Sequence, residues 1–260
     1  MKRPLTARRV VGAGVRRLPR APFRYLLPFP VLRPLYRFWL SALAANPDRR
    51  EAVRDVLRLY DDTYAAVDRA AIAYDDGVHA KHRLTRYHDF FVERVRPGER
   101  VLDVGSGKGE LAYDLVDRAG AIVVGIDHDP HHVAFARSRF VHERLRFEAG
   151  DVLERLPEGR FDVVVLSNVL EHVGDRVGLL ILLVEQARPR VILLRVPVLD
   201  RDWTVPLKQE VGLPHFSDPG HHVEYDADGF RAELEAAGLD ATEVVLIWGE
   251  IWASAEPSTG

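Results

Sequence analysis

The stretch Val101-Leu102-Asp103-Val104-Gly105-Ser106-Gly107-Lys108-Gly109-Glu110-Leu111 decides the fold. A short apolar run with β-branched residues at both ends enters a glycine-rich turn, and a helical stretch follows. Glycines let such a turn take torsions closed to other residues and let its backbone approach a ligand closely. Two nucleotide-binding motifs fail on these residues. A P-loop needs Ser or Thr after its Gly-Lys pair, but Gly109 follows Lys108, and Leu102 stands where the first glycine belongs. The dinucleotide fingerprint fails at its last glycine, which is Glu110.

Outward from the turn, apolar β-branched runs recur at 122–126, 145–148, 161–166 and 191–196, with helical stretches at 109–118, 131–142 and 175–187. Alternation of this kind predicts a mostly parallel sheet covered on both faces, with ligands at the carboxyl ends of its strands. A long loop is expected over 197–223, then a helix over 227–237 and a closing pair of strands, 242–247 and 250–253, around Gly249. Acids stand at the predicted strand ends. Gly125-Ile126-Asp127 ends the second strand, where a carboxylate can accept both hydroxyls of an adenosine ribose. Glu148-Ala149-Gly150-Asp151-Val152 puts another after the third, suited to an exocyclic adenine amine. Phe161-Asp162-Val163-Val164-Val165-Leu166-Ser167-Asn168 delivers polar residues at the end of the fourth.

Upstream of residue 98 the character changes. Residues 1–33 are rich in Arg and Pro with Phe, Tyr and Leu between them, and proline breaks helices, so this arm is expected to be extended or made of short turns. A short helix is predicted over 34–45. Asn46-Pro47-Asp48 reads as an N-cap with proline at the first helical position, opening a helix to about residue 73. Val53, Val56, Leu57, Tyr60, Tyr64 and Val67 recur there at helical spacing, predicting one buried face. A further helix is expected over 81–94, ended by Pro97-Gly98. The organisation predicted is thus an arm, 1–45, a helical lid or extension, 46–97, and a catalytic domain, 98–260.

Charge divides along the same boundary. The whole chain carries 36 Lys and Arg against 39 Asp and Glu, yet residues 1–50 hold twelve basic side chains and one acid, Asp48. The remainder is therefore strongly acidic. This asymmetry suggests that the arm meets an anionic surface and argues against nucleic-acid binding by the body. The absence of cysteine excludes a disulfide scaffold, Cys-ligated zinc, iron–sulfur clusters and thiol catalysis. No apolar run approaches the ~20 residues that span a bilayer. Pro22, Pro28, Pro30 and Pro34 interrupt the run that a signal peptide would need, so the chain reads as cytoplasmic.

The series of strand-end motifs resembles the class I S-adenosylmethionine-dependent methyltransferases, over about residues 82–253. The resemblance implies an α/β, Rossmann-like doubly wound sheet of about seven strands, mostly parallel with the last antiparallel, and S-adenosylmethionine as cofactor. It implies that Asp103, Gly105, Ser106 and Gly107 hold the methionyl part and that Asp127, with His128 beside it, holds the ribose. Asp151 and Val152 would frame the adenine, and Ser167 and Asn168 would line the methyl-donor end. The alternative for the acids is a cap or turn role, the default for an isolated Asp.

A hydroxyl acceptor must also lose a proton, which calls for a general base. In Asn168-Val169-Leu170-Glu171-His172-Val173, Glu171 and His172 directly follow the fourth strand and are candidates, the alternative being that they orient the next turn. His221-His222-Val223-Glu224-Tyr225 ends the long loop and resembles a segment that precedes the last helix in bacterial glycan methyltransferases. His221 is therefore the third catalytic candidate. His79, His82, Arg83, Tyr87 and His88 form either a lid over the cofactor or a solvated face. Some RNA 2′-hydroxyl methyltransferases and relatives acting on quinone precursors hold a divalent ion with a Glu-x-x-Glu-His pattern and a distant His. Here Asn168 replaces the first Glu and no metal is expected, since hard ions prefer carboxylates. The favoured reaction is O-methylation of a saccharide or glycolipid, with a quinone-like or other natural-product hydroxyl second and a non-catalytic cofactor-binding module third. Arg residues alternating with aromatic and Leu side chains suit peripheral attachment of residues 1–45 to the anionic inner face of the plasma membrane.

Overall fold

The computed structural model describes residues 28–75 and 79–258. The chain divides into two compact units, Met1–Val56 and Leu57–Gly260. In the first, Phe29–Ala44 forms helix α1. The helix expected over 34–45 thus begins five residues earlier, and residues 29–33 are helical instead of extended. Pro28 and Pro30 fall at the N-cap and in the first turn, where a missing N–H breaks no intrahelical bond. The rest of the arm, residues 1–27, lies outside the described residues. Helix α2, Arg49–Tyr74, is capped by Asp48 instead of Asn46. Asp48 Oδ1 accepts from the N–H groups of Arg50 and Glu51, while Asn46 Oδ1 accepts only from Asp48 N–H. The buried face predicted for α2 stops at Leu57, because Tyr60, Tyr64 and Val67 are exposed.

The single helix expected over 81–94 is two, α3 (Lys81–Thr85) and α4 (Tyr87–Val92). Arg86 between them takes a left-handed conformation, φ 51°, and its N–H closes the first helix on His82 O. The break leaves Phe90 and Phe91 of α4 buried in the core.

Seven strands follow, β1 (Arg100–Val104), β2 (Ile122–Asp127), β3 (Leu145–Ala149), β4 (Val163–Ser167), β5 (Val191–Pro197), β6 (Leu239–Ile247) and β7 (Glu250–Pro257). They form one sheet in the order β3-β2-β1-β4-β5-β7-β6, and β7 alone runs against its neighbours. The fold is therefore the Rossmann-like doubly wound one that the sequence predicts. Helices α5 (Glu110–Asp117), α6 (Pro130–Arg139), α7 (Arg176–Ala187), α8 (Thr204–Val211) and α9 (Ala227–Ala236) complete the element order. Alternate strand residues feed two cores, as period-2 geometry requires. Leu102, Val104, Val164, Leu166, Ile192 and Leu194 pack with α7 and α9, and Val101, Val163, Val165, Val191 and Leu193 pack with α4, α5 and α6. Both faces are covered, so the central strands are apolar without alternation.

Helix α8 interrupts the long loop expected over 197–223. Its signals were present in the sequence. Asp202 Oδ1 accepts from Thr204 N–H at 2.7 Å, and Gly212 at φ 75° ends the helix. No helix among the described residues is long and apolar enough to cross a membrane.

The strand order reverses between β1 and β4. At such a switch point neighbouring connections leave in opposite directions and open a crevice at the carboxyl ends. Gly105 and Asn168 are the residues that leave these strands.

Candidate active site

The turn after β1 is held by backbone hydrogen bonds on one side and a carboxylate on the other. Ser106 N–H donates to Ile126 O at 3.0 Å, and Gly109 N–H to Ser106 O at 3.0 Å. Asp127, ending β2, accepts from Gly107 N–H through Oδ2 at 2.8 Å and from Asp129 N–H through Oδ1 at 2.9 Å. Gly105 (φ 66°) and Gly109 (φ 88°) need the left-handed region, and a Cβ on Gly109 would meet Phe147 Cζ at 2.6 Å. Substitution at Gly109 would therefore force the core aside.

Asp103, one strand over on β1, is buried, and its Oδ2 has no hydrogen-bond partner. Burial, with a smaller contribution from the Asp127 charge, pushes its carboxyl up to about 8. Two carboxylates a few residues apart in space are thus prepared differently. Asp127 is satisfied by backbone donors, while Asp103 keeps a bare oxygen.

The turn and the end of β2 border a cleft of about 620 Å³. Of the predicted cofactor residues, Gly105, Gly107, Asp127, His128, Asp151, Val152 and Asn168 line it, as does His132. Asp103, Ser106 and Ser167 do not. Ser106 packs behind the turn against Gly125, and Ser167 Oγ accepts from Arg195 at 3.4 Å on the sheet face. Asp151 is exposed and its Oδ1 accepts from Leu153 N–H, so the cap role weighed for it is present alongside its place in the cleft.

At the other end of the cleft Asn168 leaves β4 at φ 56°, with its side-chain oxygen buried and unpartnered. The chain then makes a single 3₁₀ turn, Leu170–His172. Glu171 is fully buried and neither carboxylate oxygen has a hydrogen-bond partner. Desolvation pushes its pKa up to about 7. The loop before α9 brings His221 to it from fifty residues away in the chain. His221 Nε2 lies 3.9 Å from Glu171 Oε1, and the His172 and His221 rings meet edge to face with centroids 4.5 Å apart. Burial, with His221 beside it, lowers the His172 pKa.

Sequence reasoning missed what orients His221. Glu224, three residues on, is buried, and its Oε1 pairs with His221 Nδ1 at 3.0 Å. Burial opposes the Glu224 charge, but Ser217 O–H and N–H and the Arg201 guanidinium hold its pKa below the usual carboxylate range. An ionised Glu224 fixes the proton on His221 Nδ1, so Nε2 presents a lone pair toward Glu171. The signal available was the acid spaced i+3 from His221 in a loop otherwise poor in buried groups. His222 stands apart. Its side chain is exposed, and only its backbone N–H takes part, donating to Glu171 O at 2.8 Å.

Arg195 of β5 was missed as well. It is buried, with Nε 2.9 Å from Glu250 Oε2 and its guanidinium 3.7 Å over the Tyr87 ring. His82 and His88, weighed as lid residues, line a separate cavity of about 490 Å³ that shares no residue with the cleft. Tyr87 O–H pairs with His82 Nδ1 at 3.2 Å, and His88 Nδ1 pairs with Asp114 at 2.8 Å.

A doubly wound seven-stranded sheet with its seventh strand reversed, and a glycine turn facing a strand-end carboxylate beside the switch point, define a Rossmann-like methyltransferase architecture. Residues 96–208 match the family model described as a methyltransferase domain, and this region is of the class I S-adenosylmethionine-dependent type, with that compound as cofactor. Over 102 residues it is 40% identical to a ribosomal protein L11 methyltransferase of Ralstonia nicotianae, covering 39% of this chain and 33% of the relative. A ubiquinone biosynthesis O-methyltransferase of Rhodopseudomonas palustris is 35% identical over 108 residues, 41% of this chain and 42% of that one. The chain thus spans well under half the length of either. Among solved structures, magnesium protoporphyrin IX methyltransferase from Synechocystis with bound S-adenosylhomocysteine superposes with a TM-score of 0.54 at 20% identity, covering 66% of this chain and 83% of that one.

The residues present fit the cofactor. Asp103, behind the cleft lining, keeps an unpartnered buried carboxyl oxygen, and Gly105, Gly107 and Asp127 border the cleft itself, where a Cβ on Gly105 would strike Val169 Cγ2 at 2.5 Å.

Proposed function

We propose that the chain transfers a methyl group from S-adenosylmethionine to a hydroxyl of a saccharide or lipid-linked glycan, reached through residues 1–45 at the anionic inner face of the plasma membrane. The observation that carries the O-methylation reading is the buried Glu171–His221–Glu224 arrangement packed behind His172, whose side chain lines the cofactor cleft. When bound, the cofactor supplies an electrophilic methyl group on sulfur, and the protein's part is alignment and the handling of one proton. His172, the ring of this group that lines the cleft, accepts the acceptor's hydroxyl proton as the new C–O bond forms and the methyl–sulfur bond breaks, with His221, its own ring held by Glu224, packed edge to face against it. Glu171, with a pKa of about 7, stabilises the resulting imidazolium or takes the proton on. Asp103 and the turn of Gly105 to Gly107 would hold the methionyl end, Asp127 the ribose, and Asp151 with Val152 the adenine. The His221-His222-Val223-Glu224-Tyr225 segment supports a glycan acceptor over a quinone-like hydroxyl.

Membrane extracts enriched in lipid-linked sugars, assayed with radiolabelled S-adenosylmethionine, are expected to yield labelled glycolipid. Label appearing instead in ribosomal protein or in quinone precursors would overturn the acceptor. Calorimetry that finds no binding of S-adenosylmethionine or S-adenosylhomocysteine would overturn the whole reading.

One observation favours a second role for the same groups. Ligand atoms of Glu171, His172 and His221 all lie within 4.8 Å of one another, and a His held from behind by a carboxylate is the usual state of a metal-ligating imidazole. These three residues would hold a divalent cation, and two nitrogens with one oxygen suit Zn²⁺ or Mn²⁺ better than Mg²⁺. Elemental analysis of the purified chain distinguishes the two roles. Stoichiometric metal that is lost in Glu171→Gln supports the second, and metal-free protein of full activity excludes it.

A further inference from the structure

Helix α1 has no buried residue, although nine of its sixteen positions are apolar or aromatic without counting its prolines and alanines. Phe38, Phe29 and Leu35 are 77%, 72% and 66% exposed, and Val31, Tyr36 and Trp39 are exposed with them. The distribution is two-sided. Pro30, Arg33, Pro34, Arg37 and Ser41 recur at spacings of three and four and fall on one narrow stripe, while the large apolar residues occupy the remaining, wider arc. Water does not tolerate so large an apolar face on a short helix without something to cover it.

Charge identifies what covers it. Residues 1–27, directly ahead of α1, hold eight Lys and Arg and no acid, and Arg33 and Arg37 lie along the polar stripe. Two copies brought together through α1 would set these cations against each other. An anionic bilayer instead accepts both features at once, the apolar arc entering the acyl boundary and the arginines remaining among the headgroups. At sixteen residues, interrupted by two arginines, α1 is too short and too polar to cross.

We propose that α1 is an interfacial membrane helix that lies in the plane of an anionic leaflet with Leu35, Phe38 and Trp39 inserted, and that the cationic segment before it supplies the second attachment signal. One apolar element alone gives marginal, reversible binding, and stable attachment takes two signals. The proposal rests on the reading that the acceptor is presented at a membrane, and it makes α1, instead of an extended basic arm, the part that inserts.

The test is co-sedimentation of the full chain with phosphatidylcholine vesicles, with and without phosphatidylglycerol, for the wild type and for Leu35→Glu/Phe38→Glu. The wild type is expected to pellet with the anionic vesicles and to lose about tenfold or more of that affinity in the double variant. Brominated lipid is expected to quench Trp39, the quenching disappearing in Trp39→Phe. S-Adenosylhomocysteine binding by both proteins, measured in parallel, reports that the catalytic unit is folded. Wild type left in the supernatant overturns the proposal, as does a double variant that pellets like the wild type, since cations alone would then suffice. A wild-type dimer that becomes a monomer in the double variant, without vesicle binding by either, also overturns it and assigns the face to a second copy. Vesicle binding without S-adenosylhomocysteine binding leaves α1's role standing and removes the methyltransferase reading.

Discussion

The two ends of the cleft are built from different materials. At the cofactor end a carboxylate, Asp127, is tied to two backbone N–H groups within a single β1–turn–β2 unit. At the acceptor end Glu171 and His221 meet as side chains from segments fifty residues apart, and a third side chain, Glu224, fixes the geometry. The first end is a property of the local chain and survives wherever that turn forms. The second exists only when the loop before α9 docks against the 3₁₀ turn after β4. Substitutions at the two ends are accordingly expected to separate cofactor binding from methyl transfer.

The largest expected effect is at the acceptor end. Glu171→Gln keeps the shape of the side chain and removes its charge and proton affinity. Loss of a positioned acid–base group typically costs about 10²–10⁴-fold in rate. Methyl transfer should fall by that order while S-adenosylhomocysteine affinity, read by calorimetry, stays near wild type. Equal loss of both would show that the two ends are one unit. The converse variant, Asp127→Ala, takes the carboxylate acceptor from Gly107 N–H and Asp129 N–H, each lost hydrogen bond to a charged group costing about 1.5–3 kcal/mol. Its cofactor affinity should fall by about 10²-fold or more, and saturating cofactor should restore much of the rate.

The same contrast explains what was legible in the sequence. The sheet, its order and the glycine turn follow from local signals, because strand periodicity, turn glycines and strand-end acids sit within a few residues of one another. Asp127 could be assigned a place from Gly125-Ile126-Asp127 alone. Glu224 could not, since nothing in His221-His222-Val223-Glu224-Tyr225 says which residue turns inward until Arg201 and Ser217 are placed beside it. The errors in the helices have a common cause. Proline breaks a helix interior but is tolerated in the first turn, so residues 29–33 are helical, and the spacing of Tyr60, Tyr64 and Val67 shows that they share a face and not that the face is covered. The resemblance sends Asp103 and Ser106 to the methionyl end, but neither borders the cleft, and only the folded structure shows that Ser106 packs behind the turn against Gly125.

Asp103 and Asp127 offer a finer comparison within the cofactor end. A carboxyl with a folded pKa raised to about 8 holds its proton more tightly in the folded chain than in the unfolded one, where ~4 is usual. Its contribution to stability is complete below the unfolded value and is lost as pH rises through about 8. Asp103→Asn cannot ionise and should remove that loss. The melting temperature of the ligand-free variant should therefore fall less than that of the wild type between pH 5 and pH 9 (about the span of the transition). Cofactor affinity should weaken by about tenfold, the order expected for a lost charged hydrogen bond. Binding of S-adenosylhomocysteine at neutral pH should release a proton in the wild type and not in the variant, as read by calorimetry in buffers of different ionisation enthalpy. Parallel pH–stability curves for the two proteins would show that Asp103 is not the buried acid described here.

The smallest expected effect lies between two adjacent histidines. His221 and His222 are equivalent in type and one residue apart, yet the first touches Glu171 and Glu224 and the second turns its ring to solvent. His222 serves Glu171 only through its backbone N–H, which any residue except proline supplies. His222→Ala should thus leave methyl transfer and melting temperature within the ~0.5 kcal/mol, about twofold, typical of surface substitutions. His222→Pro, which removes the N–H, should cost more than His222→Ala although both delete the same ring. His221→Ala should strand two buried carboxylates facing each other and lose most of the rate. If His222→Ala instead matched His221→Ala, the loop would carry its chemistry through the exposed ring, and the contrast between a backbone-built end and a side-chain-built end would have to be redrawn at this pair.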